Sequence, residues 1–264
     1  MGCFEIDGRE RFVRTRGASD LPPAVFLHPF MLNSRFWWDQ LDGLSDIRFC
    51  LAPDLPGFGR SDPLRIDRID LGEYADDLLR CLDVWGIGDP VDLVGLSGSA
   101  IVAALAAARA PHRVRSLTLM SAPFIETMGE AYDRYKAEMA RLVVVEGKAV
   151  VYRRMLDYVV GPGLGLAERA RYRSMFEETR AEMFVAFFTR TTVKLPQDLA
   201  ARLDLPVLFP IGENDTLISP EQAQAQADTL GNARVERIDG CGRFPPIERP
   251  DRLNAALRRF WSND

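Results

Sequence analysis

The sequence contains few of the residues that bind metals or form disulfides. It has 264 residues but only two histidines, His28 and His112, and four cysteines, at positions 3, 50, 81 and 241. The cysteines show no Cys-x-x-Cys spacing, so we expect neither a zinc site nor a disulfide framework. Unpaired cysteines suit a reducing compartment. We therefore expect a cytoplasmic protein that carries no metal and no cofactor.

The sequence also lacks a long apolar segment and an excess of positive charge. Its longest uncharged stretch, residues 93–108, is too short to span a bilayer, and Gly-Leu-Ser-Gly-Ser interrupts it. The first five residues already include an acidic side chain and no apolar signal region. A formal net charge of −5 argues against nucleic acid or an anionic membrane as a partner. We expect a small-molecule substrate, and the oligomeric state stays open.

Short apolar runs alternate with longer segments of helical periodicity. The runs that read as buried strands are residues 24–28, 48–52, 91–95, 116–120, 206–212 and 234–238. The segments that read as helices are residues 71–85, 101–110, 220–230 and 249–261. Residues 3–6 and 12–16, on either side of Asp7-Gly8, indicate a hairpin at the sheet edge. This alternation predicts an α/β fold with a mostly parallel, doubly wound sheet and helices on both faces.

One segment, residues 123–195, interrupts the alternation because it contains helical patterns and no convincing strand. A helical insertion between two strands of an open sheet is most simply a cap over the strand ends. We predict such a cap after the sixth strand, with residues 1–122 and 196–264 forming the α/β core. The apolar side chains of Met183, Phe184, Phe187 and Phe188 are suited to the ceiling of a pocket.

The sequence Gly-Leu-Ser-Gly-Ser at residues 95–99 joins a predicted buried strand to a helix of small residues. A nucleophile elbow needs this context, because its serine occupies a strained turn and the residues two positions away must be small. Gly95 meets this requirement. Ser99 replaces the second glycine of the Gly-x-Ser-x-Gly pattern but is still small. Ser97 is therefore the candidate nucleophile.

Several segments together resemble the α/β-hydrolase superfamily, and most closely its small capped esterases and lactonases of the 3-oxoadipate enol-lactonase type. The segments that carry the resemblance, besides the elbow, are Leu-His-Pro-Phe at 27–30, Asp-Leu-Pro-Gly-Phe-Gly-Arg-Ser-Asp at 54–62, Gly-Glu-Asn-Asp at 212–215 and Gly-Cys-Gly-Arg-Phe at 240–244. They are similar to the family's oxyanion loop, its D-x-x-G-x-G-x-S-D turn, its G-x-x-D acid turn and its G-A-G-H-F loop. The resemblance covers about residues 20–120 and 200–262.

The resemblance implies a role for each matching residue. Ser97 would attack an acyl carbonyl, and the backbone N–H groups of Phe30 and Gly98 would hold the oxyanion. Asp215 would be the acid of the triad. Arg243 stands where the family carries its catalytic histidine. His28 and Arg243 are candidate substrate-binding residues.

Arg243 leaves the reaction open, because a guanidinium is always protonated in proteins and has no lone pair that accepts a proton. Neither histidine is a convincing substitute: His112 lies in a link after the elbow helix, and the family's counterpart of His28 supports the oxyanion loop. Three hypotheses follow. The first is an altered hydrolase that acts through Ser97; the second is a lyase, cyclase or dehydratase that uses Arg243 to clamp an anion; the third is a catalytically silent binding protein.

Overall fold

The fold contains ten strands within the residues that the computed structural model describes, which are 1–122, 129–159, 164–192, 196 and 198–262. Of residues 129–133 and 157–159 only the backbone is described. The strands are β1 (Gly2–Ile6), β2 (Arg9–Arg16), β3 (Pro23–Leu27), β4 (Phe49–Pro53), β5 (Ile69–Asp70), β6 (Val91–Leu96), β7 (Val114–Met120), β8 (Thr191–Thr192), β9 (Val207–Gly212) and β10 (Ala233–Ile238).

Eight of these strands form one sheet in the order β1-β2-β4-β3-β6-β7-β9-β10. The β1–β2 and β2–β4 pairs are antiparallel, and the pairs from β4 to β10 are parallel. The predicted mostly parallel sheet is therefore confirmed. The predicted edge hairpin is also present, and its turn residues Asp7 (φ 52°) and Gly8 (φ 73°) both adopt the left-handed conformation that a tight hairpin requires.

The described helices are α1 (Trp38–Leu44), α2 (Leu71–Val84), α3 (Gly98–Arg109), α4 (Gly129–Val145), α5 (Lys148–Val159), α6 (Leu166–Glu178), α7 (Ala181–Arg190), α8 (Leu199–Arg202), α9 (Pro220–Ala227), α10 (Pro245–Glu248) and α11 (Pro250–Trp261). Two of them begin at a side-chain N-cap. Asp70 accepts the N–H groups of Gly72 and Glu73 at the start of α2. Ser219 forms a capping box with Gln222 at the start of α9.

Helix α3 is packed closely against the sheet because its side chains are small. All nine residues from Ser99 to Ala107 are buried, and five of them are alanine. The helix contacts β6, β7 and the neighbouring α2. Burial on every side fixes the direction in which α3 leaves the sheet. It therefore also fixes the position of Ser97, which immediately precedes it.

Helices α4 to α7, which we call the insertion helices, lie between β7 and β9 in the chain. Thr179 donates a hydrogen bond to the carbonyl of Met31, and the ring of Phe187 stacks on that of Phe30 at 5.6 Å. The short β5–β8 pair joins the end of α7 to the loop before α2. The insertion helices therefore rest on the loop that follows β3. The predicted limits of the cap, residues 123 and 195, lie outside the described residues.

The sequence prediction missed α1, α8, α10 and the two-residue strands β5 and β8. These elements contain seven residues or fewer. A segment of that length covers at most two helical turns, so it shows no clear periodicity. None of the described helices combines the length and the apolar composition needed to cross a bilayer.

Candidate active site

Ser97 occupies a strained turn between β6 and α3, with φ 61° and ψ −126°. A positive φ is uncommon for a residue with a side chain and costs free energy, so the surrounding structure must hold it in place. The Ser97 N–H donates to the carbonyl of Met120 at 2.8 Å. At Gly95, an added Cβ would lie 2.7 Å from the backbone of Ala100, so only glycine fits. These features are those of a nucleophile elbow.

The contacts of Ser99 explain how the elbow accommodates a serine at the second glycine position of the Gly-x-Ser-x-Gly pattern. Its side chain is buried, and its hydroxyl lies 2.8 Å from the carbonyl of Leu27. The same oxygen accepts the N–H of Leu96 at 3.0 Å. Ser99 therefore connects the elbow to the end of β3, from which the predicted oxyanion loop begins.

Phe30 and Gly98, the residues of the predicted oxyanion donors, are in contact. The ring of Phe30 covers Gly98, where an added Cβ would be 2.8 Å from that ring. Phe30 itself packs against Phe58, Tyr74 and Phe187 at centroid distances of 5.4 to 5.6 Å. Within the described part of the chain, neither the Phe30 N–H nor the Gly98 N–H has an acceptor. Both groups are therefore available to an oxygen of a ligand.

His28 is fully buried, and both of its ring nitrogens are engaged. Nδ1 lies 2.9 Å from the carbonyl of Pro29, and Nε2 accepts the N–H of Leu55 at 2.8 Å. Burial is the main influence on the ring and lowers the pKa of His28, so the neutral form is favoured. No polar atom of the ring is left for a ligand. The geometry corrects the predicted contact between His28 and substrate, and favours a role in holding the oxyanion loop.

The turn at residues 54–62 is architectural. The buried carboxylate of Asp54 accepts the N–H of Ser34 at 2.7 Å and that of Arg60 at 2.9 Å. Gly59 adopts φ 53° directly beside this carboxylate, where an added Cβ would collide with it. The turn thus connects the predicted oxyanion loop to the chain after β4.

Asp215 follows β9, and its carboxylate accepts three hydrogen bonds. Oδ1 accepts the N–H of Leu217 at 2.9 Å and that of Ile218 at 3.2 Å. Oδ2 accepts the hydroxyl of Ser121 at 2.5 Å. Sequence reasoning missed Ser121, although its place directly after β7, the strand beside the nucleophile strand, was an available signal.

Arg243 joins the candidate nucleophile to the candidate acid. Its Nη2 donates to Ser97 Oγ at 2.8 Å and lies 3.5 Å from the carbonyl of Ser121. Its Nη1 lies 3.8 Å from Asp215 Oδ1, beyond hydrogen-bond distance. The side chain is only 8% exposed, and Nη1 is buried without a hydrogen-bond partner in the described structure. The three residues predicted from the sequence are therefore brought together, but the Arg243–Asp215 contact is an incomplete ion pair.

The loop that carries Arg243 is held by Glu248, whose carboxylate accepts the N–H groups of Gly242 and Phe244, each at 2.9 Å. Gly212 permits this loop to approach the acid turn, since an added Cβ there would collide with the carbonyl of Gly242. The thiol of Cys241 in the same loop is buried, and burial raises its pKa. The hydrogen bonds to the backbone on both sides of Arg243 therefore hold this residue in place, and Cys241 is a packing residue.

The arrangement presents hydrogen-bond donors to a ligand and no free base. Arg243 is cationic at neutral pH, His28 is occupied, and the oxygens of Asp215 are already bonded. Within the described ranges, no group of three or more His, Cys, Asp or Glu residues is placed to hold a metal ion. The chemistry of the site therefore depends on Ser97, the backbone donors and the guanidinium.

Comparison with known proteins places this chain in a family. Residues 24–256 match the profile of the alpha/beta hydrolase family, which covers most of the chain. The chain belongs to this family. The resemblance found in its motifs is therefore confirmed at the level of the superfamily, and the fold of this hydrolase agrees with it.

Relatives of this hydrolase include two enzymes of similar length. A haloalkane dehalogenase from Bradyrhizobium diazoefficiens is 30% identical over 276 residues, covering 89% of this chain and 85% of the relative. A 2-hydroxymuconate semialdehyde hydrolase from a Pseudomonas species is 30% identical over 233 residues, covering 85% of this chain and 80% of the relative. These relatives support an enzyme of the hydrolase class.

Solved structures agree on the fold. The enol-lactonase from Burkholderia xenovorans superposes with a TM-score of 0.87 at 20% identity, covering 99% of this chain and 100% of that chain. A thermophilic esterase from Thermogutta terrifontis superposes with a TM-score of 0.86 at 23% identity, covering 99% and 96%. At these identities the likeness concerns the fold alone.

Proposed function

We propose that this hydrolase cleaves a small ester, lactone or related acyl compound through Ser97. The observation that carries the proposal is the 2.8 Å hydrogen bond from Arg243 Nη2 to Ser97 Oγ at a strained elbow. A serine held at positive φ beside two unoccupied backbone donors is arranged for attack on a carbonyl. The residue that contacts it is a cation and not a base.

In the proposed reaction, the Oγ of Ser97 attacks the acyl carbon, and its proton passes to water or hydroxide. The Phe30 and Gly98 N–H groups hold the oxyanion until the leaving oxygen departs. Arg243 stabilises the ionised Oγ: two unit charges 2.8 Å apart attract by about 6 kcal/mol at an effective dielectric constant of about 20, before desolvation is counted. Water then releases the acyl group from Ser97.

The proposed enzyme is slow at neutral pH because no imidazole removes the proton. Loss of the catalytic histidine lowers kcat about 10⁶-fold in a protease of another fold, and a residual ~10³–10⁴-fold acceleration over water remains. The rate should rise with pH, because hydroxide takes the place of the base. In this scheme His28 holds the oxyanion loop and Asp215 orients the site beside Arg243. The insertion helices form the cap over a small-molecule pocket.

An acyl-enzyme provides the test. Incubation with p-nitrophenyl acetate should add one acetyl group to the intact protein, and the adduct should form faster as the pH is raised. Ser97→Ala should abolish the adduct. The matched control is Ser116→Ala, which removes a serine hydroxyl that is hydrogen-bonded to Asp92, away from the site. An adduct that persists in Ser97→Ala would contradict the proposal.

The unpartnered Nη1 of Arg243 favours a second candidate function, in which a lyase, cyclase or dehydratase clamps an anionic oxygen of its substrate. Ser97 would then donate a hydrogen bond and never become acylated. Turnover without an acyl-enzyme would support this candidate. Ligand binding without any turnover would support a silent binding protein.

A further inference from the structure

Four hydrogen-bond donors at the site have no acceptor in the described part of the molecule. They are the backbone N–H groups of Phe30 and Gly98, the hydroxyl of Ser97 and Nη1 of Arg243. The Ser97 oxygen accepts from Arg243 Nη2, so its own proton is directed elsewhere. We infer that Nη1 of Arg243 and the Ser97 hydroxyl bind a carboxylate, while the two backbone N–H groups are left for the acyl oxygen, and that the substrate is a small carboxylic acid derivative whose carboxylate lies next to the reacting carbon.

Ser121 keeps the guanidinium available for this ligand. Asp215 is the only carboxylate that the described structure places within ion-pair distance of Arg243. Its Oδ2 is held by Ser121 Oγ, and its Oδ1 by two backbone N–H groups. Asp215 therefore stays 3.8 Å from Nη1 and does not form the two-pronged contact that carboxylates usually make with arginine. Ser121 is a positioning residue for carboxylate binding.

The surroundings of the donors are apolar. The ring of Phe30 covers Gly98, and Phe244, the residue after Arg243, packs against Tyr172 at 5.5 Å. All three rings are buried. A charged hydrogen bond is stronger in such surroundings than in water. The ligand should therefore combine one carboxylate with an apolar body. This inference names the substrate class of the proposed function and rests on that function, which places the acyl group beside Ser97.

Direct binding measurements test the inference. Acetate, benzoate and phenylacetate are titrated into the intact protein by calorimetry, with phenylacetamide as the neutral counterpart of phenylacetate. Hydrogen bonds to charged groups are stronger than neutral ones, so phenylacetate should bind at least about 10-fold more tightly than the amide. Equal binding of the two would overturn the inference, as would the failure of all three carboxylates to bind. This comparison needs no variant and is independent of folding.

Two variants with matched controls assign the effect to its residues. Arg243→Gln should weaken phenylacetate binding about 10-fold or more, while Arg249→Gln, which makes the same charge change in the adjoining segment, should not. Ser121→Ala frees Asp215 to contact Arg243 and should weaken binding about 3- to 10-fold, whereas Ser116→Ala should leave it unchanged. Unchanged binding in Arg243→Gln would also overturn the inference.

The two proposals fail separately. An acetyl adduct on Ser97 without any preference for carboxylates would overturn the substrate class and leave the hydrolase function standing. Selective carboxylate binding without an acetyl adduct would overturn the hydrolase function and leave the carboxylate site standing.

Discussion

Replacement of Arg243 by histidine should raise the hydrolysis of p-nitrophenyl acetate by at least ~10²-fold, because it would place a general base beside Ser97. The guanidinium lies 2.8 Å from Ser97 Oγ and 3.8 Å from Asp215 Oδ1, so the side chain of residue 243 already extends between nucleophile and acid. The carboxylate of Asp215 accepts three hydrogen bonds, and a carboxylate has about four acceptor positions. One position therefore remains for an imidazole N–H.

The magnitude follows from two opposing effects. General-base catalysis contributes about 10²- to 10⁴-fold, or about 2.7 to 5.4 kcal/mol in the activation free energy. The variant loses the stabilisation that the guanidinium gives to the ionised serine, and the imidazole is shorter than the side chain it replaces. The lower end of the range is therefore expected.

The assay compares kcat/KM across pH for the wild type, Arg243→His and Arg243→Gln. Only the histidine variant should gain activity, with a sigmoidal rise centred near the usual histidine pKa of about 6.5. The gain should vanish in the double variant that also carries Ser97→Ala. An unchanged rate in Arg243→His would contradict this prediction, because it would mean that Ser97 and Asp215 do not have triad geometry. An equal gain in Arg243→Gln would show that removal of the cation, and not a new base, is responsible.

Three further results are expected. Glu248→Gln should lower both esterase activity and stability, the latter by about 1–3 kcal/mol in chemical denaturation, because the new amide N–H₂ cannot accept one of the two loop N–H groups. Burial lowers the pKa of His28, so the unfolded chain binds more protons than the folded chain below about pH 6.5. The free energy of unfolding should therefore decrease as the pH is lowered through this range, by at most about 1.4 kcal/mol per pH unit. His28→Gln should reduce this slope in pH-dependent urea melts, whereas His112→Gln, at an exposed turn, should not. Iodoacetamide should alkylate the exposed Cys3 in the native protein but not Cys241, which is buried and whose pKa is raised by burial. Peptide mass mapping identifies the alkylated residues. Labelling of Cys241 without denaturant would contradict its assignment as a packing residue.

The sheet could be predicted from the sequence because its inner strands are buried on both faces. Residues 91–96 and 207–212 are buried throughout, and such strands appear in the sequence as short, mostly apolar runs. Strand order could not be obtained from those runs, since β4 lies between β2 and β3 in the sheet although it follows both in the chain. That order results from the antiparallel pairing of β2 with β4.

The site was predictable where a residue type is demanded by backbone geometry. Gly95 and Gly212 have neighbours that exclude a side chain, and these positions made the elbow and the acid turn recognisable. Ser121 and Glu248 were not assigned to the site. Their roles depend on hydrogen bonds to residues far along the chain or to backbone N–H groups, and neither contact produces a spacing pattern.

We propose that Ser97 is a reactive nucleophile beside a guanidinium. Labelling of the intact protein with a fluorophosphonate tests this proposal, because the reagent reacts with an activated serine. We expect one label per chain, located on Ser97 by peptide mapping and formed faster at alkaline than at neutral pH. The absence of any label on Ser97, even at alkaline pH, would contradict it.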